Sequence, residues 1–349
     1  PTAAALEALG PNLELGRGTV CFATGMAALT AVFLTLLRSG DHMVSSQHVF
    51  GNTNSLFGTL GGLGISVGKV DADSVAAVES ALRPQTRIVF VETVANPGTQ
   101  IPDLAGIGEL CRERGLLYVV DNTVTSPALF LPRRVGAGLV VNSLTKTIAG
   151  HGAALGGAVT DTGLYDWSQY PNIVANYRQG APAGWGLQQI RKKGLRDMGG
   201  SLSSEQAHQI SLGAETCVLR VAHTSATALA LARFLQAQPG VAAVHYPMLE
   251  THRQHARARQ LFGAGSWLLA FELREPEAML PVLNRMQLAI KATGLGDTRT
   301  LVIPVAQTIY WEMGASARAQ MGIAEGLIRV SVGLEDAADL IADFEQALG

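Results

Sequence analysis

The chain has 349 residues, 48% of them hydrophobic and 15% charged, with a formal net charge of −2. Basic residues dispersed at that balance exclude the cationic footprint of a nucleic-acid binder, and the apolar content excludes a disordered chain, leaving material for two domains with large cores and for extensive subunit contacts. Cys21, Cys111 and Cys217 are odd in number and far apart, which argues against a disulfide framework or a cysteine-held metal and fits a reducing cytoplasm; no apolar run reaches the roughly 20 residues of a membrane helix.

In chain order, residues 2–9 have helical character, 18–22 read as a short strand, and Thr24-Gly25-Met26-Ala27-Ala28 opens a helix running to 37. Such a unit either simply starts a helix or binds an anion at its free N–H groups, with Gly25 letting the backbone come close. Strands at 41–45, 65–70, 87–92 and 116–120 alternate with helices at 53–60, 74–82 and 104–114, the pattern of a parallel sheet. The run GTLGGLG at 58–64 lies between a helix and a strand, whereas a dinucleotide fingerprint follows a strand and opens a helix.

Three strand ends carry polar residues of complementary type, at 92–96, 121–123 and 143–146, and are expected to converge on one pocket at the sheet's carboxyl edge. Asp121 follows Leu-Leu-Tyr-Val-Val. A carboxylate there either caps a helix or needs a cationic partner, such as a pyridinium nitrogen, to stay ionised. The run LVVNSLTKTIAGHG at 139–152 delivers Ser143, Thr145 and Lys146 to the same edge, and Lys146 is one of only five lysines. It is either a structural lysine paired to a carboxylate or a Schiff-base amine for pyridoxal phosphate, with hydroxyls nearby for the phosphate and burial to free the nucleophile.

From 161 to 186 the alternation lapses into a polar stretch containing Trp167, Tyr170, Tyr177 and Trp185, read as a surface excursion at a pocket rim or subunit contact. Helical patterning returns at 187–210 and 225–238, and strands at 241–246, 266–273 and 301–303 indicate a second unit of helices and strands. His252 and His255 stand three apart without a further ligand cluster, so no metal site is expected. Arg329 lies inside Leu-Ile-Arg-Val-Ser-Val, where a buried guanidinium needs an anion, best a carboxylate from protein or substrate. A final amphipathic helix covers 335–348.

With these residues assembled, the chain resembles the Cys/Met-metabolism family of pyridoxal-phosphate enzymes, which includes cystathionine synthases, cystathionine lyases, methionine γ-lyases and O-acylhomoserine sulfhydrylases. The motifs are TGMAA at 24–28, ETVANP at 92–97, DNT at 121–123, SLTK at 143–146 followed by GHG at 150–152, and LIRVSVGLED around Arg329. They run in the family's order over essentially the whole chain. The resemblance implies an α/β, aspartate-aminotransferase type (fold type I) architecture. A large, mostly parallel-sheet domain would cover 1–212 and a smaller C-terminal α+β domain 213–349, joined through Gly199-Gly200 and 201–216. It further implies a cytoplasmic homotetramer built from dimers, with active sites at the dimer interface and a small amino acid as substrate. Lys146 would be the Schiff-base lysine and Asp121 the acid on the pyridine nitrogen; Gly25, Met26, Ser143 and Thr145 would hold the phosphate. Asn96 would contact cofactor and substrate, Phe50 would stack on the ring, and Arg329 would take the substrate carboxylate.

Departures from the family pattern sharpen the expected chemistry. Phe50 stands where the family carries a tyrosine, so stacking is kept and a hydroxyl is lost. Asn52 stands where methionine-cleaving γ-lyases carry cysteine, and Ile309 where many members carry histidine. The chain begins past the family's Tyr-x-Arg segment, which reaches a neighbouring subunit's phosphate site; that arm's absence implies truncation or disorder and a weakened phosphate site. An acyl carboxylate leaves near pKa about 4 and a thiolate near about 8.5. Loss of the phenolic acid therefore favours γ-replacement on an O-acylhomoserine by a sulfur nucleophile, with a carbon–sulfur lyase acting on cystathionine as the alternative. A nicotinamide-dependent oxidoreductase and a catalytically silent relative are readings of another class, separated by the absorbance of the bound cofactor.

Overall fold

A computed structural model describes residues 2–349, apart from the side chains at 317 and 320. A seven-stranded sheet forms the larger body: β1 (Gly18–Phe22), β2 (His42–Ser46), β3 (Ser66–Val70), β4 (Thr86–Glu92), β5 (Leu117–Asp121), β6 (Leu139–Asn142) and β7 (Gly157–Asp161), in the order β1-β7-β6-β5-β4-β2-β3. Six strands share one direction and β7 runs against both its neighbours. The sheet is thus mostly parallel. β7 was not anticipated, and its two antiparallel pairings are the exception in a sheet that is otherwise parallel, as expected.

The central strands are nearly continuous apolar runs because both faces of the sheet are covered. Ile88 and Phe90, Leu117 and Val119, and Leu139 and Val141 point into one core, with α2 (Gly25–Leu36). Val89 and Val91, Tyr118 and Val120, and Val140 point the other way, into a second core with α5 (Leu104–Arg114), as the two-residue strand period requires. Both helices carry local start signals. The Thr24 hydroxyl accepts from Ala27 N at 3.0 Å, and the Asp103 carboxylate accepts from Gly106 N at 3.1 Å, each satisfying a first-turn amide. Gly115, at φ +65, ends α5 in the left-handed region that glycine adopts without strain. Three further helices, α1 (Thr2–Glu14), α3 (Gly51–Gly62) and α4 (Val75–Ser80), complete this half; α1 runs five residues beyond the expected end at 9, carrying Pro11 inside it.

Within the stretch from 161 to 186, read as a surface excursion, residues 178–182 are exposed, but Trp167, Tyr170 and Ile173 belong to the main core. Trp167 and Tyr170 are each 1% exposed, and Tyr165, Trp167 and Tyr170 meet edge to face at 5.2–6.0 Å. The polar residues between them had masked the signal: Trp167 Nε1 donates to Asp161 at 2.7 Å, and Tyr170 O–H donates to Leu36 O at 2.8 Å. Trp167→Ala is expected to cost about 3–5 kcal/mol, read as a lower urea midpoint with an unchanged slope.

The helical reading of 187–210 is split between α7 (Trp185–Gln189) with its wide continuation Ile190–Arg196, and α8 (Ser204–Glu215); the short α6 (Ser126–Leu129) precedes them. Then α9 (Cys217–Gln236) starts beside Leu6 and Ile210 with Cys217 and Val221, and ends in a separate core with Ala228, Leu231 and Leu235. That core belongs to a five-stranded sheet in the order β10-β11-β12-β9-β8: β8 (Val241–His245), β9 (Leu268–Leu273), β10 (Ile290–Lys291), β11 (Leu301–Pro304) and β12 (Leu327–Ser331). The terminal helix Ala337–Leu348 closes it with Leu340 and Phe344. Among the described residues no helix is long and apolar enough to cross a membrane.

Candidate active site

The carboxyl ends of β4, β5 and β6 place Glu92, Asp121 and Asn142 side by side, Glu92 directly opposite Asp121 in the ladder. Beyond β6 the chain turns through Ser143, Thr145 and Lys146, tied back by Ser143 N donating to Thr123 Oγ1 at 2.8 Å. The start of α2 approaches from the side. A Cβ on Gly25 would come within 2.9 Å of Ser143 Cβ, so only glycine lets these two segments touch. Together they wall a cavity of about 300 Å³ that also receives Met26, Phe50, Asn52 and Asn96.

Eight of the nine expected site residues line this cavity: Gly25, Met26, Phe50, Asn96, Asp121, Ser143, Thr145 and Lys146. Arg329, on β12, does not. Its Nη2 donates to the carbonyls of Thr293 and Gly294 at 3.0 and 3.1 Å, next to the cavity-lining Leu295, and its Nε has no partner. No protein carboxylate pairs with it among the described residues; two backbone carbonyls hold one edge of the guanidinium. Thr145 lines the cavity, but its hydroxyl already donates to Gly156 O at 3.2 Å and accepts from Gly156 N at 3.0 Å. Asp121 caps no helix; its Oδ1 accepts from Thr123 N at 2.9 Å.

The electrostatics divide the ionisable groups. The Lys146 side chain makes no hydrogen bond or ion pair among the described residues; burial and then the nearby Arg329 lower its pKa, against the pull of Asp121. Burial raises Asp121, offset by its bonds from Thr123 and by Lys146. Burial and the Asp121 charge hold Glu92 well above the carboxylate range, and its Oε1 accepts from Phe50 N at 2.7 Å. Burial thus pushes both carboxyls towards the neutral form, Glu92 the further of the two. A larger groove, about 650 Å³, lies elsewhere around Arg83, Arg87 and Arg114. Its Arg114 pairs with Glu79 and its Arg87 with Asp41, and it holds no buried acid–lysine pair.

The groups around the cavity suit pyridoxal phosphate in particular. The first amides of α2, at Gly25 and Met26, have no carbonyl ahead of them in the helix, and the Ser143 hydroxyl beside them is free among the described residues, a donor set for a phosphate. Asn96 Oδ1 is buried without a partner. Asp121 supplies a desolvated carboxylate for a ring N–H, and Lys146 a desolvated amine for a carbonyl carbon.

An α/β fold whose strand edge sets these groups around one cavity defines an enzyme that works with pyridoxal phosphate. The chain belongs to the family of Cys/Met metabolism PLP-dependent enzymes, whose pattern it matches over residues 1–349. It is 36% identical to an L-methionine gamma-lyase of Pseudomonas putida over 100% of this chain and 83% of that enzyme. It is 35% identical to an O-succinylhomoserine sulfhydrylase of Pseudomonas aeruginosa over 100% of this chain and 81% of that one. Among solved structures, a putative O-acetylhomoserine (thiol)-lyase of Campylobacter jejuni carrying N'-pyridoxyl-lysine-5'-monophosphate superposes with a TM-score of 0.94, at 30% identity, over 100% of this chain and 86% of that one. The fold-type-I reading and the cofactor drawn from the sequence motifs both hold.

Sequence reasoning passed over two residues beside the site. Tyr310, buried, donates its hydroxyl to Asn96 O at 3.3 Å; it adjoins Ile309, whose departure from the family was noted, and no local pattern marks it. Glu14 lies behind the strand ends, bonded to Asn122 and Asn142.

Proposed function

We propose that the protein catalyses γ-replacement on an O-acylhomoserine, exchanging the acyl group for a sulfur nucleophile. One observation carries this: Phe50 sits on the cavity wall, and no tyrosine lines the cavity among the described residues. A site without a phenolic acid favours a leaving group already stable as an anion, an acyl carboxylate near pKa about 4 over a thiolate near about 8.5. Carbon–sulfur elimination is the second reading, because the lyase and sulfhydrylase relatives are 36% and 35% identical, and overall identity does not choose between them.

In this reading Lys146 holds pyridoxal phosphate through Nζ, Asp121 keeps the ring nitrogen protonated, and the Gly25 and Met26 amides with the Ser143 hydroxyl bind the phosphate. Phe50 and Asn96, on the same cavity wall, would stack on the ring and contact the cofactor respectively. The bound cofactor supplies an electron sink for carbanion chemistry next to the amino group. Lys146 Nζ, whose pKa burial lowers, takes the substrate's α-proton and returns it further along the chain. Arg329 receives the substrate carboxylate from behind Leu295. We further infer a cytoplasmic homotetramer built from dimers. The three buried free thiols suit a reducing compartment, and Val218 and Leu219, 62% and 73% exposed on α9, give an apolar face for a partner copy to cover.

The test is an assay of cofactor-loaded protein with O-acetylhomoserine or O-succinylhomoserine and either sulfide or cysteine. Homocysteine or cystathionine is expected. Release of neither, with a 2-oxo acid formed from cystathionine or methionine instead, gives the function to the lyase. Phe50→Tyr restores a phenolic acid and is expected to raise elimination relative to ester replacement by about a hundredfold, the lower end of what a positioned proton donor contributes.

A further inference from the structure

Behind the strand ends lies a carboxyl group that the reaction does not use. Glu14, the last residue of α1, is 2% exposed. Its Oε1 accepts from Asn122 Nδ2 at 3.0 Å and from Asn142 Nδ2 at 2.7 Å. Asn122 directly follows Asp121, and Asn142 directly precedes Ser143. The link continues sideways: Thr125 Oγ1 donates to Asn122 Oδ1 at 2.5 Å and lies 2.8 Å from Thr93 Oγ1, on the residue after Glu92. One buried polar chain therefore runs beneath the ends of β4, β5 and β6, one residue behind the groups that face the cavity.

Two atoms in this polar link have no partner among the described residues, Glu14 Oε2 and Asn142 Oδ1. Both are acceptors if Glu14 is ionised, and unpaired acceptors this deep are costly. A proton on Oε2 turns one of them into a donor and removes the bare charge. Burial pushes the Glu14 carboxyl up to about 7, held back only by the two amides. The ionisable groups on elements packed against α1 are Cys21 on β1, Asp121 on β5, Asp161 on β7, and Glu205, His208 and Glu215 on α8. Arg133 donates to Leu15 O, and Glu7 on α1 itself pairs with Arg191. None of these charges sets the state of Glu14.

We infer that Glu14 is a positioning residue: as a protonated acid it ties the ends of β5 and β6 together through Asn122 and Asn142, and so fixes how Asp121 faces Ser143 and Lys146. This rests on the reading of that cavity as the pyridoxal-phosphate site. Ionisation puts an uncompensated charge into the link, so the hold on the cofactor weakens as pH rises through neutrality. The sign follows from linkage. A carboxyl raised in the folded state keeps a proton that the unfolded chain has lost, so its stabilisation is full below about 4.5 and gone above about 7.

The experiment compares wild type with Glu14→Gln, whose amide reproduces the neutral acid and cannot ionise, at pH 6 and pH 8. Two quantities are read: the Kd for pyridoxal phosphate and the urea midpoint of the cofactor-free chain. Relative to Glu14→Gln, wild type is expected to lose affinity by up to about tenfold over this interval, the limit for a group titrating near 7 whose proton the cofactor complex retains, and its midpoint to fall. Glu14→Ala, which takes an acceptor from both asparagine amides and leaves Asn122 only the Phe130 carbonyl, loses affinity at both pH values; should it not fold, the glutamine comparison stands alone. Equal pH dependence in wild type and Glu14→Gln overturns the proposal. So does a difference confined to the urea midpoint, which makes Glu14 a stability residue only. Wild-type protein that binds no pyridoxal phosphate at either pH overturns the cofactor reading itself, and the midpoints then still report whether Glu14 titrates.

Discussion

Lys146→Ala is expected to leave a folded chain that no longer holds pyridoxal phosphate covalently and turns over at least about 10²–10⁴-fold more slowly, the range lost with a positioned proton carrier. The expectation comes from the amine's surroundings. Lys146 stands four residues past the end of β6, on the wall of a cavity that also holds Asp121, and no carboxylate pairs with it among the described residues. Burial and Arg329 both push its proton off, so it is poised as nucleophile and base rather than as a counter-ion. Removing it deletes a desolvated amine with no partner to orphan, and the urea midpoint should not fall. The same surroundings predict that wild-type activity rises with pH through the lowered lysine pKa, since the working form is unprotonated. Absorbance of the cofactor-loaded protein and initial rates with an O-acylhomoserine and sulfide check both points. Wild-type turnover in the alanine variant would remove Lys146 from the mechanism.

How far the sequence disclosed this site depended on whether each signal was local. The α5 helix was read at both its bounds because Asp103 and Gly115 act on their own neighbours. The convergence of Glu92, Asp121 and Lys146 was legible for a related reason: a buried parallel strand announces itself as an apolar run, and the first polar residue after it falls at the sheet's edge. Glu14 had no such announcement. Its two partners lie 108 and 128 residues away, and its own neighbours give no hint that both asparagines will arrive there. Trp167 and Tyr170 failed differently: Asp161 and the Leu36 carbonyl satisfy their polar atoms, so a stretch that looked wet is dry inside. β7 was hidden by brevity, five residues between a glycine-rich turn and that misread stretch. For Arg329, the sequence showed that a charge was buried, and could not show that two carbonyls some 35 residues upstream hold it.

That arrangement of Arg329 supports the second large effect. Arg329→Lys is expected to lower kcat/KM by about 30-fold to 4,000-fold, the equivalent of the 2–5 kcal/mol lost when one partner of a buried charge pair is truncated. The loss should fall mainly in KM, with the cofactor's absorbance unchanged. Arg329 is 1% exposed, packed in β12 opposite Ile303 and Ala270. Burial lowers its pKa to about 10, so it remains a cation at neutral pH. No protein carboxylate forms a salt bridge with it among the described residues, and a desolvated cation held only by carbonyls is costly. An amino-acid carboxylate arriving past Leu295 would supply the missing anion, and a lysine there would keep the charge while losing the planar fork that pairs both oxygens. Arg329→Leu separates stability from function: it removes the unpaired charge and is expected to raise the urea midpoint while losing still more activity. A leucine variant that is less stable than wild type would mean that the two carbonyl bonds, and not substrate recognition, are why this strand keeps an arginine at its centre.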